Sequence, residues 1–361
     1  MVSFIHSGDI HLGTSFKTAS FASKYGQIRR GELWESLERL IKYSQDKEID
    51  FILLAGDLFE EDLFTIKDIN KLKDILAYAK KQKIIISPGN HDTLKSNSMY
   101  NRIKWPENTY IFKKDGIESL HFEDLKVTIH GYSWTRTCED MDVLIKGIKK
   151  NKDHHNIFIL HGDTFSAKDY LPLDIEELKS LNMDYIALGH IHKPQFLTPN
   201  IGYCGSLEPL DFGETGQRGF IEGHLGKVNK FVFRPFSKRE FHLINLEVTN
   251  KMTLEDIVEK VKYLAGEGYD KNFYRVILSG LMPFYIEVRD IEAKLKEEFY
   301  HVELMEKYKR DFDIEKIRWD NKDNIIGKYI ESFNDEDLED DIIRDAFYTG
   351  LYALLEGGEK L

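Results

Sequence analysis

Lys83-Ile84-Ile85-Ile86-Ser87-Pro88-Gly89-Asn90-His91-Asp92 is the stretch on which the reading of the fold turns. Ile84 to Ile86 is a short β-branched run closed by proline, and it reads as a buried strand ending in a turn. The turn then places an amide, an imidazole and a carboxylate on four residues. Gly, Asn and Asp are common turn formers, so the tetrapeptide alone reads equally as a polar turn or as part of a site. Asn90 offers a neutral oxygen to a cation, and His91 can carry a proton near neutral pH. The neighbouring strands decide between the two readings.

Toward the N-terminus, Phe51-Ile52-Leu53-Leu54-Ala55 is a second apolar run and ends in Gly56-Asp57-Leu58-Phe59-Glu60. Val2 to Ser7 is a third and runs into Gly8-Asp9-Ile10-His11. Asp9 and His11 are two apart, a spacing that puts both on one side of an extended segment. Leu33, Leu37, Leu40 and Ile41 predict a helix over 32–47. Ile66, Ile69, Leu72, Ile75, Leu76 and Ala79 predict another over 65–82. Strand–helix–strand–helix–strand is the pattern of a right-handed parallel α/β sheet.

Toward the C-terminus, a helix over 140–150 leads to Ile157-Phe158-Ile159-Leu160, which ends in His161-Gly162-Asp163. A helix over 174–181 then leads to Tyr185-Ile186-Ala187-Leu188, which ends in Gly189-His190-Ile191-His192. The intervening segment 97–132 reads as more antiparallel, with strands near 110–112 and 126–131 and a structural His130. Ligands of such sheets collect at the carboxyl ends of strands. Five apolar strands therefore finish in Asp, His or Asn beside glycine. Histidine is a poor turn former, so independent turns do not explain the set. Carboxylates, imidazoles and one amide suit Mn²⁺, Fe or Zn²⁺. Cys138 and Cys204, the only cysteines, stand in no metal or redox spacing.

The chain has 361 residues, 42% hydrophobic and 31% charged, as expected of a globular protein with a large domain and a smaller one. No apolar run is long enough to span a bilayer, and Met1 to His6 lacks the features of a signal peptide, so the expected compartment is the cytoplasm. The net charge of −12 argues against a nucleic-acid partner, but its distribution weakens that argument. Residues 241–361 hold 17 Lys+Arg against 28 Asp+Glu, which leaves 33 against 34 for residues 1–240.

Asp9-x-His11, Gly56-Asp57, Gly89-Asn90-His91-Asp92, His161 and Gly189-His190-x-His192 resemble, in order, the motifs of the calcineurin-like metallophosphoesterases. Gly56-Asp57-Leu58-Phe59, and Gly205-Ser206-Leu207-Glu208 followed by Glu214-Thr215-Gly216-Gln217-Arg218-Gly219-Phe220, resemble the SbcD/YhaO type of DNA-repair exonuclease subunit. The resemblance covers residues 2–240 well and the remainder loosely. It implies an α/β sandwich of two mixed β-sheets flanked by helices, with the site at one end. It implies that Asp9, His11, Asp57 and His192 hold one divalent metal and that Asp57, Asn90, His161 and His190 hold the other. Mn²⁺ is the usual activator in that branch, with Fe, Zn²⁺ or Mg²⁺ as alternatives. It leaves His91 as a catalytic non-ligand that protonates the leaving oxygen or stabilises phosphoryl charge.

Glu60 stands where relatives carry His or Asp. It reads either as a catalytic partner that orients His91 or as an exposed loop glutamate. The expected domains are a nuclease domain over 1–237, an α+β capping domain over 238–332, and an acidic linker with an amphipathic helix over 333–361. The implied function is DNA phosphodiester hydrolysis in repair, with an SbcC-type ABC/SMC-like ATPase partner docking at the C-terminal region and a homodimer. A metallophosphatase or cyclic-nucleotide phosphodiesterase, and a regulatory DNA-binding scaffold with a weakened site, are the alternatives. Lys17, Lys24, Arg29, Arg30, Arg136, Lys193 and Arg218 are candidate phosphate contacts by loop position.

Overall fold

The computed structural model describes residues 1–16, 23–114, 116–135, 148–165, 170–334, 338 and 340–357. Lys17, Arg136, Cys138 and most of the helix expected over 140–150 lie outside them.

The apolar runs are buried on both faces, which is why they lack polar alternation. In β2 (Phe51–Leu54) all four side chains are buried. Ile52 and Leu54 join Leu33, Leu37 and Leu40 of α1 (Ser23–Asp46) and Ile69 and Leu72 of α2 (Ile66–Ala77) in one core. Phe51 and Leu53 join Ile157, Ile159 and Ala187 of the other sheet in a second core. A third core, including Phe158, Leu160, Ile186, Leu188 and Leu178, covers that sheet's outer face. Helices, sheet, sheet and helix thus form four layers.

The first sheet has the order β12-β11-β1-β2-β3-β4. β1 (Val2–Ser7), β2, β3 (Lys83–Ile86) and β4 (Thr109–Ile111) run parallel. β11 (Gly219–Leu225) and β12 (Lys230–Pro235) form the closing antiparallel hairpin, whose β11 pairs antiparallel with β1. The second sheet has the order β5-β6-β7-β8-β10-β9. In it β6 (Val127–Gly131), β7 (His155–His161), β8 (Tyr185–Gly189) and β10 (Ile201–Tyr203) are parallel. β5 (Glu118–Phe122) and β9 (Gln195–Thr198) flank them antiparallel. The helix expected over 174–181 is α3 (Ile175–Ser180).

The expectation of an antiparallel stretch over 97–132 is corrected here: β4 pairs parallel with β3, β6 pairs parallel with β7, and only β5–β6 is antiparallel. Short strands bounded by turns carry no local record of their partner, so the direction of pairing was not readable there. His130 is buried, with Ser119 Oγ 2.8 Å from Nδ1 and Asn156 Oδ1 3.3 Å from Nε2.

The chain divides into two compact units, Met1–His242 and Leu243–Leu361. The division falls beyond the Pro235-Phe236-Ser237 turn because Lys238 and Arg239 are tied back. The Lys238 amide donates to Glu208 at 2.6 Å, and Arg239 Nε to Glu32 at 2.7 Å.

The second unit takes in a three-stranded sheet, β13 (Phe241–Val248), β14 (Phe273–Met282) and β15 (His301–Arg310), in that order. α4 (Leu254–Ala265) and α5 (Val288–Glu298) pack on it through Ile257, Val261, Ile291 and Leu295. Among the described residues three further helices follow, α6 (Ile314–Asp320), α7 (Ile325–Glu331) and α8 (Asp341–Gly357). Phe347 and Leu351 of α8 bury against Ile330, so the C-terminal helix packs inside this unit, with Ile342 left exposed.

Gly189 closes β8, where a Cβ would sit 1.7 Å from the Ala55 carbonyl oxygen of the facing sheet. Gly189→Ala should therefore separate the strand ends and destabilise the first unit by about 3 kcal/mol. Urea unfolding checks this, and an unchanged midpoint would contradict it.

Candidate metal centre

The centre is built from backbone bent against its preference. Asp9, His11 and Asp57 have φ of 47°, 51° and 50°, and His190 has 101°. Such conformations cost a non-glycine residue of order 1–3 kcal/mol each. Reciprocal hydrogen bonds between strand ends hold them. The Asp9 amide donates to Gly56 O, and the Ile10 and His11 amides both donate to Asp57 O, all at 3.0 Å. The His190 amide donates to both Asp9 carboxylate oxygens at 3.1 Å. Close approach explains the adjacent glycines. A Cβ on Gly56 would lie 2.4 Å from His161 Nδ1, and one on Gly89 would lie 2.3 Å from Asp57 Oδ1.

The donor atoms fall into two sets that share Asp57. On one side His11 Nε2 and His192 Nε2 are 3.1 Å apart, with Asp57 Oδ2 3.8 Å from His11 and Asp9 Oδ1 4.0 Å from His192. On the other, His161 Nε2 is 2.8 Å from Asn90 Oδ1 and 3.3 Å from the same Asp57 Oδ2. The ring of His190 stands 5.2 Å from that of His161, with Nε2 4.0 Å from Asp163 Oδ2. Among the described residues, every tight cluster of metal-ligating side chains lies here: Asp9/His11/His192, His11/Asp57/His91 and Asp9/Asp57/His161.

A family model for calcineurin-like phosphoesterases matches residues 2–194. The chain belongs to that family. It is 30% identical over 243 residues to YhaO of Bacillus subtilis (strain 168), a metallophosphoesterase described as uncharacterized. That match covers 62% of this chain and 57% of the relative. It is 24% identical over 305 residues to the DNA double-strand break repair protein Mre11 of Archaeoglobus fulgidus, covering 76% of this chain and 65% of the relative. It is 24% identical over 247 residues to the SbcD component of the SbcCD nuclease of Staphylococcus epidermidis, covering 59% and 63%. The chain thus spans less than two thirds of the length of these relatives. No helix among the described residues is long and apolar enough to cross a membrane.

In this member of the family, the structure brings together Asp9, His11, Asp57, Asn90, His161 and His192, with His190 at the edge of the group. Glu60 is within hydrogen-bond reach of two imidazoles at once: Oε2 is 2.8 Å from His91 Nδ1 and Oε1 is 2.7 Å from His11 Nδ1. Its extra methylene, relative to Asp, accommodates the bond to His91. The contact with His11 was not foreseen. Asp92 is buried and accepts from the Gly89, Leu58 and Asp57 amides and the Tyr100 hydroxyl, so it shapes the loop.

Two further residues were missed. Glu214 Oε1 lies 2.6 Å from His192 Nδ1, and the Trp134 indole donates to His161 O at 2.7 Å. No periodicity links Glu214 to a residue 22 positions earlier, so only the folded chain reveals the pair. Two expected phosphate contacts are corrected. Arg29 is fully buried between Glu32 and Glu208, and Arg218 is buried and donates to the carbonyls of Thr215 and Gln217. Lys193 is exposed and Arg30 half-buried.

The electrostatics call for cations. Burial pushes the Asp57 carboxyl up, but His161 and His11 more than reverse this and hold it well below the ordinary range. Burial lowers His161, yet Asp57 and Asp9 bring it up to about 9. His192 likewise ends at about 9, burial being outweighed by Glu214 and Asp9. Glu60 falls to about 2 despite its burial, through His11 and His91. The Glu60 hydrogen bond raises His91.

With protons as the only cations, His161 and His192 have folded pKa values above the ordinary 6.5. Their contribution to stability is then fully present below pH 6.5 and lost as pH rises through about 9. Chelator-stripped protein should therefore show a falling urea midpoint from about pH 6.5 to about pH 9.5, and added divalent metal should abolish the fall. Parallel curves with and without metal would contradict this.

Proposed function

We propose that this chain is a two-metal-dependent nuclease that hydrolyses DNA phosphodiester bonds, with Mn²⁺ as its activator. The observation that carries the reading is the shared Asp57 Oδ2, faced by His11 on one side and His161 on the other. The donor set fits hard or borderline divalent cations, having carboxylates, imidazoles and an amide and no thiolate; Cys204 is buried with its sulfur 4.0 Å from Leu188 O. Asp9, His11, Asp57 and His192 would hold one cation, and Asp57, Asn90, His161 and His190 the other. Such a pair, when bound, would supply Lewis-acid charge at the phosphate and lower the pKa of a water.

The chain's own residues do the rest. Hydrolysis adds a water oxygen to phosphorus and breaks the bond to an alkoxide oxygen, which needs a proton. His91 is half exposed at the rim of the centre, and Glu60 takes its Nδ1, leaving Nε2 for that oxygen. The raised pKa of His91 favours the protonated form this role requires.

Two exposed aromatic rings support a nucleic-acid substrate. Phe165 and Tyr170 are 63% and 54% exposed, and the Tyr170 ring lies 4.9 Å from that of His190. Bases stack on such rings without sequence preference. The names of the repair and nuclease relatives point the same way. By the same likeness, an SbcC-type ATPase is the expected partner.

The burial of Arg29 and Arg218 favours a second reading, a phosphodiesterase of small substrates, since it removes two cations from the path of a long polyanion. Incubation with Mn²⁺, labelled single- and double-stranded DNA and bis-p-nitrophenyl phosphate separates the two. Cleavage of DNA is expected; hydrolysis of the small diester beside intact DNA would establish the second reading instead. His91→Ala should retain bound metal and lose about 10²–10⁴-fold in turnover. Tyr170→Ala should weaken single-stranded DNA binding about tenfold, as read by fluorescence anisotropy.

A further inference from the structure

Beside His91, four imidazoles converge on the centre, and they are backed differently. His11 Nδ1 lies 2.7 Å from Glu60 Oε1, and His192 Nδ1 lies 2.6 Å from Glu214 Oε1. His161 Nδ1 instead lies 3.0 Å from the main-chain oxygen of Ala55. The carboxylate near His190 approaches its Nε2 only to 4.0 Å. Asn90, the remaining donor on that side, is neutral. Asp9 Oδ1 comes only to 3.9 Å from His161 Nδ1, so the carboxylates within hydrogen-bond reach of a ring Nδ1 lie behind one half of the centre.

A carboxylate behind an imidazole fixes the Nδ1–H tautomer, aims Nε2 and strengthens it as a donor. Glu214 is itself held in place. Its Oε2 accepts from Ser206 Oγ at 3.0 Å and from the Leu210 amide at 3.2 Å, and Arg218 Nε lies 3.8 Å away. The buried Arg218, in turn, is anchored on the carbonyls of its own turn. The 205–219 segment thus presents one carboxylate oxygen to His192 and spends the other on its own fold.

We propose that Glu214 is a positioning residue for His192. Together with Glu60 it makes the Asp9–His11–His192 position bind a divalent cation more tightly than the Asn90–His161–His190 position, so the two fill in a fixed order. This inference rests on the two-cation reading above, and one titration tests the two separately.

Chelator-stripped full-length chain is titrated with Mn²⁺ by calorimetry, with free Mn²⁺ followed by electron paramagnetic resonance. Two ions should bind in two steps, the first about tenfold tighter or more. Glu214→Gln keeps the shape and an acceptor oxygen but removes the charge. It should weaken the first step about 10–100-fold and leave the second unchanged. Two equal steps in the unaltered chain, or a Glu214→Gln variant with its first step intact, would overturn the inference while leaving the two-cation reading standing. Binding of fewer than two ions would overturn that reading itself. Should Glu214→Gln fail to fold by circular dichroism, Ser206→Ala removes one support of Glu214 without touching His192. A smaller loss confined to the first step is expected of it, and a loss spread over both steps would overturn the inference.

Discussion

The structure of the centre depends on one buried side chain. Asp57 Oδ2 faces His11 and His161, its Oδ1 accepts the His91 amide at 2.9 Å, and its main-chain oxygen accepts the amides of Ile10 and His11. Its own amide donates to Asp92. Three strand ends of the first sheet, at β1, β2 and β3, are thereby fixed to one residue, and β7 of the second sheet reaches it through His161. A buried carboxylate with this many obligations is stable only if each is met. The glycines, the left-handed φ angles and the Asp92 bracket are how they are met.

The two sheets supply what the loop residues cannot. Phe51, Leu53, Ile85, Ile157, Ile159 and Ala187 interdigitate between them and fix how far each strand projects. Parallel pairing of β1 with β2, of β2 with β3, and of β7 with β8 then brings their carboxyl ends level. Packing of this density does not deform continuously, so donor atoms at the ends of different strands keep their relative places.

Much of this was legible in the sequence, because each strand is an uninterrupted apolar run and each ends in an uncommon residue type. The α/β class and the converging strand ends follow from those two facts, whereas the sandwich of two mixed sheets was implied by the family resemblance. What was not legible has a common cause: it depends on pairs distant in the chain with no periodic signal. Glu214 behind His192 and the second bond of Glu60 belong here, as does the parallel pairing of β4 with β3 and of β6 with β7. Arg29 looked like a loop cation because nothing local announces Glu208, 179 residues away, as its partner.

The left-handed backbone at Asp9, His11 and Asp57 has a cost in stability. A glycine would occupy each of these positions without strain, and asparagine with less. Asp9, His11 and Asp57 instead carry a strain on the order of 1–3 kcal/mol each, which the hydrogen bonds between the strand ends offset.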